Sequence, residues 1–169
     1  MAGTVSIGDV IIVEGNTGTK TAIFSVVRSG GSDAFSVTAT TSDGSATVVD
    51  SDYVATTAVL TFGAGVNQQT FSVAINGDTK FEASETFNIT LSAPTNGTTI
   101  GDGSGVGIIS NDDTAPAAGT VSINDVIIVE GNSGTKTAIF SVIRSGGSDA
   151  FSVTATTSDG SATVVDSDY

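Results

Sequence analysis

The 169-residue chain contains no cysteine and no histidine. That excludes disulfides, thiol nucleophiles, imidazole bases and the nitrogen and sulfur ligands that structural zinc prefers. It leaves the redox compartment open, since a chain without thiols is at home in any of them. Bases are scarce as well: Lys and Arg total 5 against 18 acids, for a formal charge of −13. Nucleic acid is therefore not an expected partner, because neutralising phosphates needs clustered Lys and Arg. An anionic membrane surface is disfavoured on the same ground. Long apolar runs are missing too. The longest aliphatic stretch is Val10–Val13, far short of a spanning helix, so no membrane insertion is expected. What is present is Gly (21 residues), abundant Ser and Thr, and scattered Val, Ile and Phe. This composition points to an all-β protein, secreted or on a cell surface.

Internal repetition sets the organisation. Residues 2–53 recur at 118–169 with 49 of 52 positions identical, the differences being Gly8/Asn124, Thr17/Ser133 and Val27/Ile143. A period of 116 residues is the spacing of whole domains in tandem rather than of a solenoid. The boundaries read as a complete domain over 1–113, a linker over 114–118, and the N-terminal part of a near-identical second domain over 119–169. Met1 stands where the later copy has Ala117 and reads as an added initiator. Five linker residues span at most ~17 Å, so successive domains are expected to sit close together. The partial second copy is expected to leave apolar strand faces and edges open.

Period-two alternation marks the strands of the first copy. Thr4–Ile7 and Val10–Val13 form a split first strand. Thr21–Arg28, Phe35–Thr41, Val59–Phe62, Thr70–Ile75, Thr86–Leu91 and Val106–Ile109 follow, and Pro94–Gly105 reads as a loop. Arg28 and Arg144, at strand ends, read as solvated. About seven strands without an amphipathic helix fit an immunoglobulin-like antiparallel β-sandwich in tandem repeat.

The first copy carries 12 acids and 3 bases. Glu14 follows the first strand, Asp50 and Asp52 lie in a loop, Asp78 and Glu82 follow another strand that leads to Glu85, and Asp112 and Asp113 follow the last. In a sandwich these segments can meet at one pole, gathering eight of the carboxylates. Close carboxylates repel, and without a counterion some must stay protonated. A hard divalent cation relieves this. Calcium takes six to eight oxygens and accepts carboxylates and backbone carbonyls, whereas magnesium prefers few protein ligands. Transition metals would want the missing His or Cys.

The quoted stretches then match a family. Val10–Gly15, Thr41–Tyr53, Leu60–Gly65, Phe71–Phe87 and Ile108–Asp113 occur in an order and spacing that resembles a Calx-beta domain. This calcium-binding sandwich is known from sodium–calcium exchangers and as tandem repeats in large surface proteins. The resemblance implies a Ca2+ ligand set of Glu14, Asp52, Asp78, Glu82, Glu85, Asp112 and Asp113, with a backbone carbonyl at Lys80. Gly77 and Asn111 depart from it, standing where the family commonly has acids, and Asp50 is extra. Fewer carboxylates imply roughly one to three ions per full domain. The second copy keeps only Glu130 and Asp168 of this set, the counterparts of Glu14 and Asp52, together with Asp166, the counterpart of the extra Asp50.

The expected function is that of a calcium-binding structural or adhesive repeat, extracellular or at the cell surface. The cation would stabilise each domain and stiffen the junction between neighbouring repeats of the same chain. The alternative is a self-associating filament or stalk subunit in which calcium is secondary. No enzyme is expected, because no nucleophile–base constellation is visible, and a metal cluster accounts for the Glu82/Glu85 pair.

Overall fold

A computed structural model describes residues 2–169. The chain divides into two units, one ending at Ala115 and one covering Pro116–Tyr169.

The first unit is the two-sheet sandwich that the alternation predicts. Its strands are β1 (Thr4–Ile7), β2 (Val10–Val13), β3 (Thr19–Ser29), β4 (Phe35–Asp43), β5 (Thr57–Phe62), β6 (Gln68–Asn76), β7 (Glu85–Ser92), β8 (Thr99–Asp102) and β9 (Ser104–Ser110). One sheet runs β6-β3-β1-β8 and the other β2-β9-β7-β4-β5. The split first strand thus contributes one half to each sheet.

Most ladders are antiparallel, but β1 pairs with β8 and β2 with β9 in parallel. The stretch 94–105, read as a loop, holds β8. Its Thr-Ile-Gly-Asp sequence lacks an apolar alternation, and only its placement beside β1 at a sheet edge makes it a strand.

Alternate residues of each long strand point into one core. Ala22, Phe24 and Val26 of β3 are buried with Phe71, Val73 and Ile75 of β6, opposite Phe35, Val37 and Ala39 of β4 and Phe87, Ile89 and Leu91 of β7. Phe35 and Phe62, cross-strand partners, stack at 4.4 Å, and Tyr53 stacks on Phe87 at 4.6 Å. Each such side chain contributes on the order of 1.5–3 kcal/mol by leaving water. Arg28 is not solvated as its position at a strand end suggested. It falls on the inward register of β3, is buried, donates to Asn67 Oδ1 and the Asp33 carbonyl, and lies over the Phe35 ring. Those bonds satisfy the guanidinium where water cannot. Arg144, in the second copy, is exposed over Phe151.

The second unit is much less ordered into strands. It holds one antiparallel pair, β10 (Thr120–Ile123) and β11 (Val142–Ser145). Its copy of the apolar face is exposed.

Candidate metal centre

Topology decides which ends meet. Because β2 and β9 run parallel, both end at one pole, and Glu14 continues the ladder with its N–H on the Ser110 carbonyl. Since β7 is antiparallel to β9, it begins there, with Glu85 opposite Ile109. Strand β6 ends at the same pole, where Asn76 pairs with Thr19 at the start of β3. The 77–84 connection, carrying Asp78, Lys80 and Glu82, must therefore cross this pole.

The 44–56 loop is pinned to it from the other side. Asn76 donates to the Asp52 carbonyl, and Tyr53 bridges Ile75. The loop is shaped from within: the Asp52 carboxylate takes the Thr47 N–H at 2.6 Å, and Asp43 accepts from Val48 N–H and the Tyr53 hydroxyl. Such Asx-type bonds fix a loop that would otherwise be mobile.

Two neighbouring groups of carboxylates result. Oxygens of Asp52, Glu82 and Glu85 lie within 4.8 Å of one another. Glu14 faces the charges of Asp113, Asp78, Glu82 and Asp112, so Glu82 belongs to both groups. The Gly15 N–H donates to Asp112 at 2.9 Å, and the Asn16 side-chain amide to Asp113 at 3.2 Å. All seven carboxylates singled out from the sequence lie at this pole. Asp50, set aside there as extra, adds its charge to Glu85. Lys80 also lies here, its N–H on Asp78 and its ammonium paired with Glu82. The family resemblance points only to its carbonyl. Asn16 and Asn76 also hold the pole together, and as amides they carry no charge signal in the sequence.

The charge state shows the strain of the cluster. Burial, then the Asp52 and Glu82 carboxylates, push Glu85 up to about 7. Glu14 is raised by burial and then by Asp113 and Asp78, and Asp113 by burial and then by Asp112. Glu14 (8% exposed) and Asp113 (9%) each bury a carboxylate oxygen that no donor reaches. An orphaned, buried, charged oxygen is costly, and two of them beside a dense set of carboxylates are what an oxygen-seeking cation would satisfy. The donor set fits calcium and lacks the nitrogen or sulfur that transition metals favour.

The departure at Gly77 has a steric cause. A Cβ there would overlap the Gly15 carbonyl oxygen and crowd that of Glu14. The backbone of the 77–84 connection passes so close to the end of β2 that an acid at 77 has no room.

Fold and site together define a class, a two-sheet β-sandwich with its carboxylates collected at one pole. The chain belongs to the Calx-beta domain family, whose model matches residues 9–126 and again 117–169. Among solved structures it is similar to the apo form of the Calx CBD1 domain (28% identity, TM-score 0.60), covering 67% of this chain and all of that one. It is also similar to CBD12 from CALX1.2 (29% identity, TM-score 0.59) and to the calcium binding domain CBD12 of CALX1.1 (29% identity, TM-score 0.58). Those matches cover 65% and 64% of this chain and 44% of each of the others. No curated protein matches the chain.

Proposed function

We propose that this protein is a calcium-binding structural repeat module of an extracellular or cell-surface array. The observation that carries the reading is the pair of buried, donorless oxygens on Glu14 and Asp113 inside a pole of eight carboxylates. Glu14, Asp52, Asp78, Glu82, Glu85, Asp112 and Asp113, with the Lys80 carbonyl, would hold the cation. Bound Ca2+ supplies positive charge that lets these carboxylates coexist ionised. The related CBD12 of CALX1.1 is a calcium binding domain, which supports the same cation here. Asp112 and Asp113 directly precede the 114–118 linker, so an ion held there would order the exit of one repeat and stiffen its junction with the next. The role is then mechanical, an array that is firm in calcium and loose without it, with neighbouring repeats as its partners.

Calorimetric titration of the whole chain with calcium, beside thermal melting in calcium and in chelator, tests the proposal. Calcium a hundredfold above its dissociation constant should add about 2.7 kcal/mol to the first unit. No heat of binding and superimposable melts would overturn it.

A further inference from the structure

Of the 3 bases in the first copy, two already have their partners: Arg28 is held by Asn67 and the Asp33 carbonyl, and Lys80 pairs with Glu82. Lys20 is the third. It stands at the start of β3, opposite Ile75 and so at the acidic pole. Among the described residues its ammonium nonetheless pairs with no carboxylate. It donates to the Val13 carbonyl at 2.9 Å.

That bond closes the 14–18 connection between β2 and β3 on itself. The connection is fastened to the acid-bearing segments at four points. The Glu14 N–H donates to the Ser110 carbonyl at 3.2 Å and the Gly15 N–H to Asp112 at 2.9 Å. The Asn16 amide donates to Asp113 at 3.2 Å, and the Gly18 carbonyl accepts the Gly77 N–H at 2.9 Å. Among these contacts stands Glu14, buried and with its donorless oxygen. The lysine stem lies directly over the backbone: Gly15 has a φ of +79°, and a Cβ there would be 2.6 Å from the ammonium nitrogen. Only glycine allows both the left-handed backbone and the approach of the lysine.

The second copy shows that this closure needs nothing beyond its own stretch of chain. Lys136 donates to the Val129 carbonyl at 2.6 Å, over Gly131 with a φ of +85°. There the counterpart of β2 is not a strand, Glu130 is exposed, and the unit holds no counterpart of the 77–84 connection. Ordering a long, exposed lysine costs side-chain entropy. The same bond forms in both copies all the same, with and without the surrounding pole. The closure is therefore a cause of the local geometry at Glu14 rather than a consequence of the assembled cluster.

We infer that Lys20 is a positioning residue of the metal centre: by closing the 14–18 connection on the Val13 carbonyl, it sets Glu14 in place for the cation before the ion arrives. The inference rests on the calcium reading above. A lysine suits the task, because it carries several donors on a long stem and no acceptor. Spent on a carbonyl, its ammonium leaves the carboxylate of Glu14 free for the ion. A ligand already held in place has less freedom to lose when the ion binds.

Calcium titration of the whole chain and its variants, beside melts in chelator, tests the assignment. Lys20→Met should weaken calcium binding about three- to tenfold, the worth of one hydrogen bond, and leave the chelator melt unchanged. Lys20→Arg keeps the charge and the donors and should restore most of the affinity. Lys136→Met makes the same change of charge in the second copy and should leave the affinity of the first unit as it was. In a Glu14→Gln chain the loss caused by Lys20→Met should vanish, because the two residues act as one unit. Binding by Lys20→Met as tight as that of the parent overturns the inference. So does an equal loss in the Glu14→Gln background or from Lys136→Met. A chelator melt that falls in step with the affinity overturns it too, by assigning Lys20 to the stability of β2. The parent is titrated first: if it binds no calcium, the calcium reading fails and this inference falls with it, whereas a parent that binds beside an unaffected Lys20→Met chain removes the inference alone.

Discussion

The Gly15 N–H donates to the Asp112 carboxylate at 2.9 Å and so clamps the end of β2 to the segment leaving β9. On either side of the clamp, Glu14 and Asp113 are buried, and each keeps an oxygen without a donor. A hydrogen bond between a glycine backbone and an aspartate thus helps hold two carboxylates in a setting that disfavours their ionised forms.

Glu82 is the residue that both carboxylate groups share. Glu82→Gln should weaken calcium binding by about tenfold or more, since a charged oxygen is lost from the donor set. In chelator the same variant should melt no lower than the parent. The exposed Lys80 partner contributes little, being screened by water, and repulsion within the cluster is relieved. Calorimetry and melting curves on one preparation check both signs.

Stability in chelator should fall as pH rises. Glu85 is pushed up to about 7 in the fold from an unfolded value near 4.5, so between those values the folded state holds more protons than the unfolded one. Stability that is full below about 4.5 is then lost through pH 7, at up to about 1.4 kcal/mol per pH unit for each excess proton. Glu14 and Asp113, raised in the same direction, add to the trend. Calcium should flatten it by favouring the ionised form. Urea unfolding from pH 4 to pH 8, with and without calcium, reads the slope.

Adding a carboxylate need not add a ligand. Gly77→Asp should destabilise the first unit by about 1–3 kcal/mol, because its Cβ overlaps the Gly15 carbonyl. Calcium affinity should fall with it as the end of β2 is displaced. A denaturant midpoint at or above that of the parent would contradict this steric account.

Identical residues should have unequal worth. Phe24→Ala removes a buried ring packed against Phe71 and Phe87 and should cost about 3–5 kcal/mol. Phe140→Ala removes the same residue from an exposed face and should change the main unfolding transition by less than about 0.5 kcal/mol. Urea denaturation of the two variants makes the comparison.

Much of this was legible in the residues themselves. The alternation of Phe24, Val26, Phe35, Val37, Phe71, Val73, Phe87 and Ile89 marks both the strands and their inward faces. The acids of the pole stand out because they follow or precede those strands. Other features carry no such mark. Strand β8 owes its state to the edge of β1, Arg28 is buried by the register of β3, and Lys80 turns its ammonium to Glu82. Each depends on a neighbour distant in the chain.

The repeat separates the two kinds of information within one molecule. Asp43–Tyr53 and Asp159–Tyr169 have the same sequence and form the same hydrogen bonds, because every donor and acceptor lies within about ten residues. Local sequence suffices for the acid loop. Residues 19–29 and 35–43 are long strands in the first copy, whereas of their counterparts only Val142–Ser145 is a strand. A strand needs a partner for its backbone groups and a second sheet for its apolar face. In the first copy β6, β7 and β9 supply these; within the second unit no counterpart of those strands does. Tertiary contacts therefore decide which alternating stretches become strands, and with them which acids are brought to a common pole.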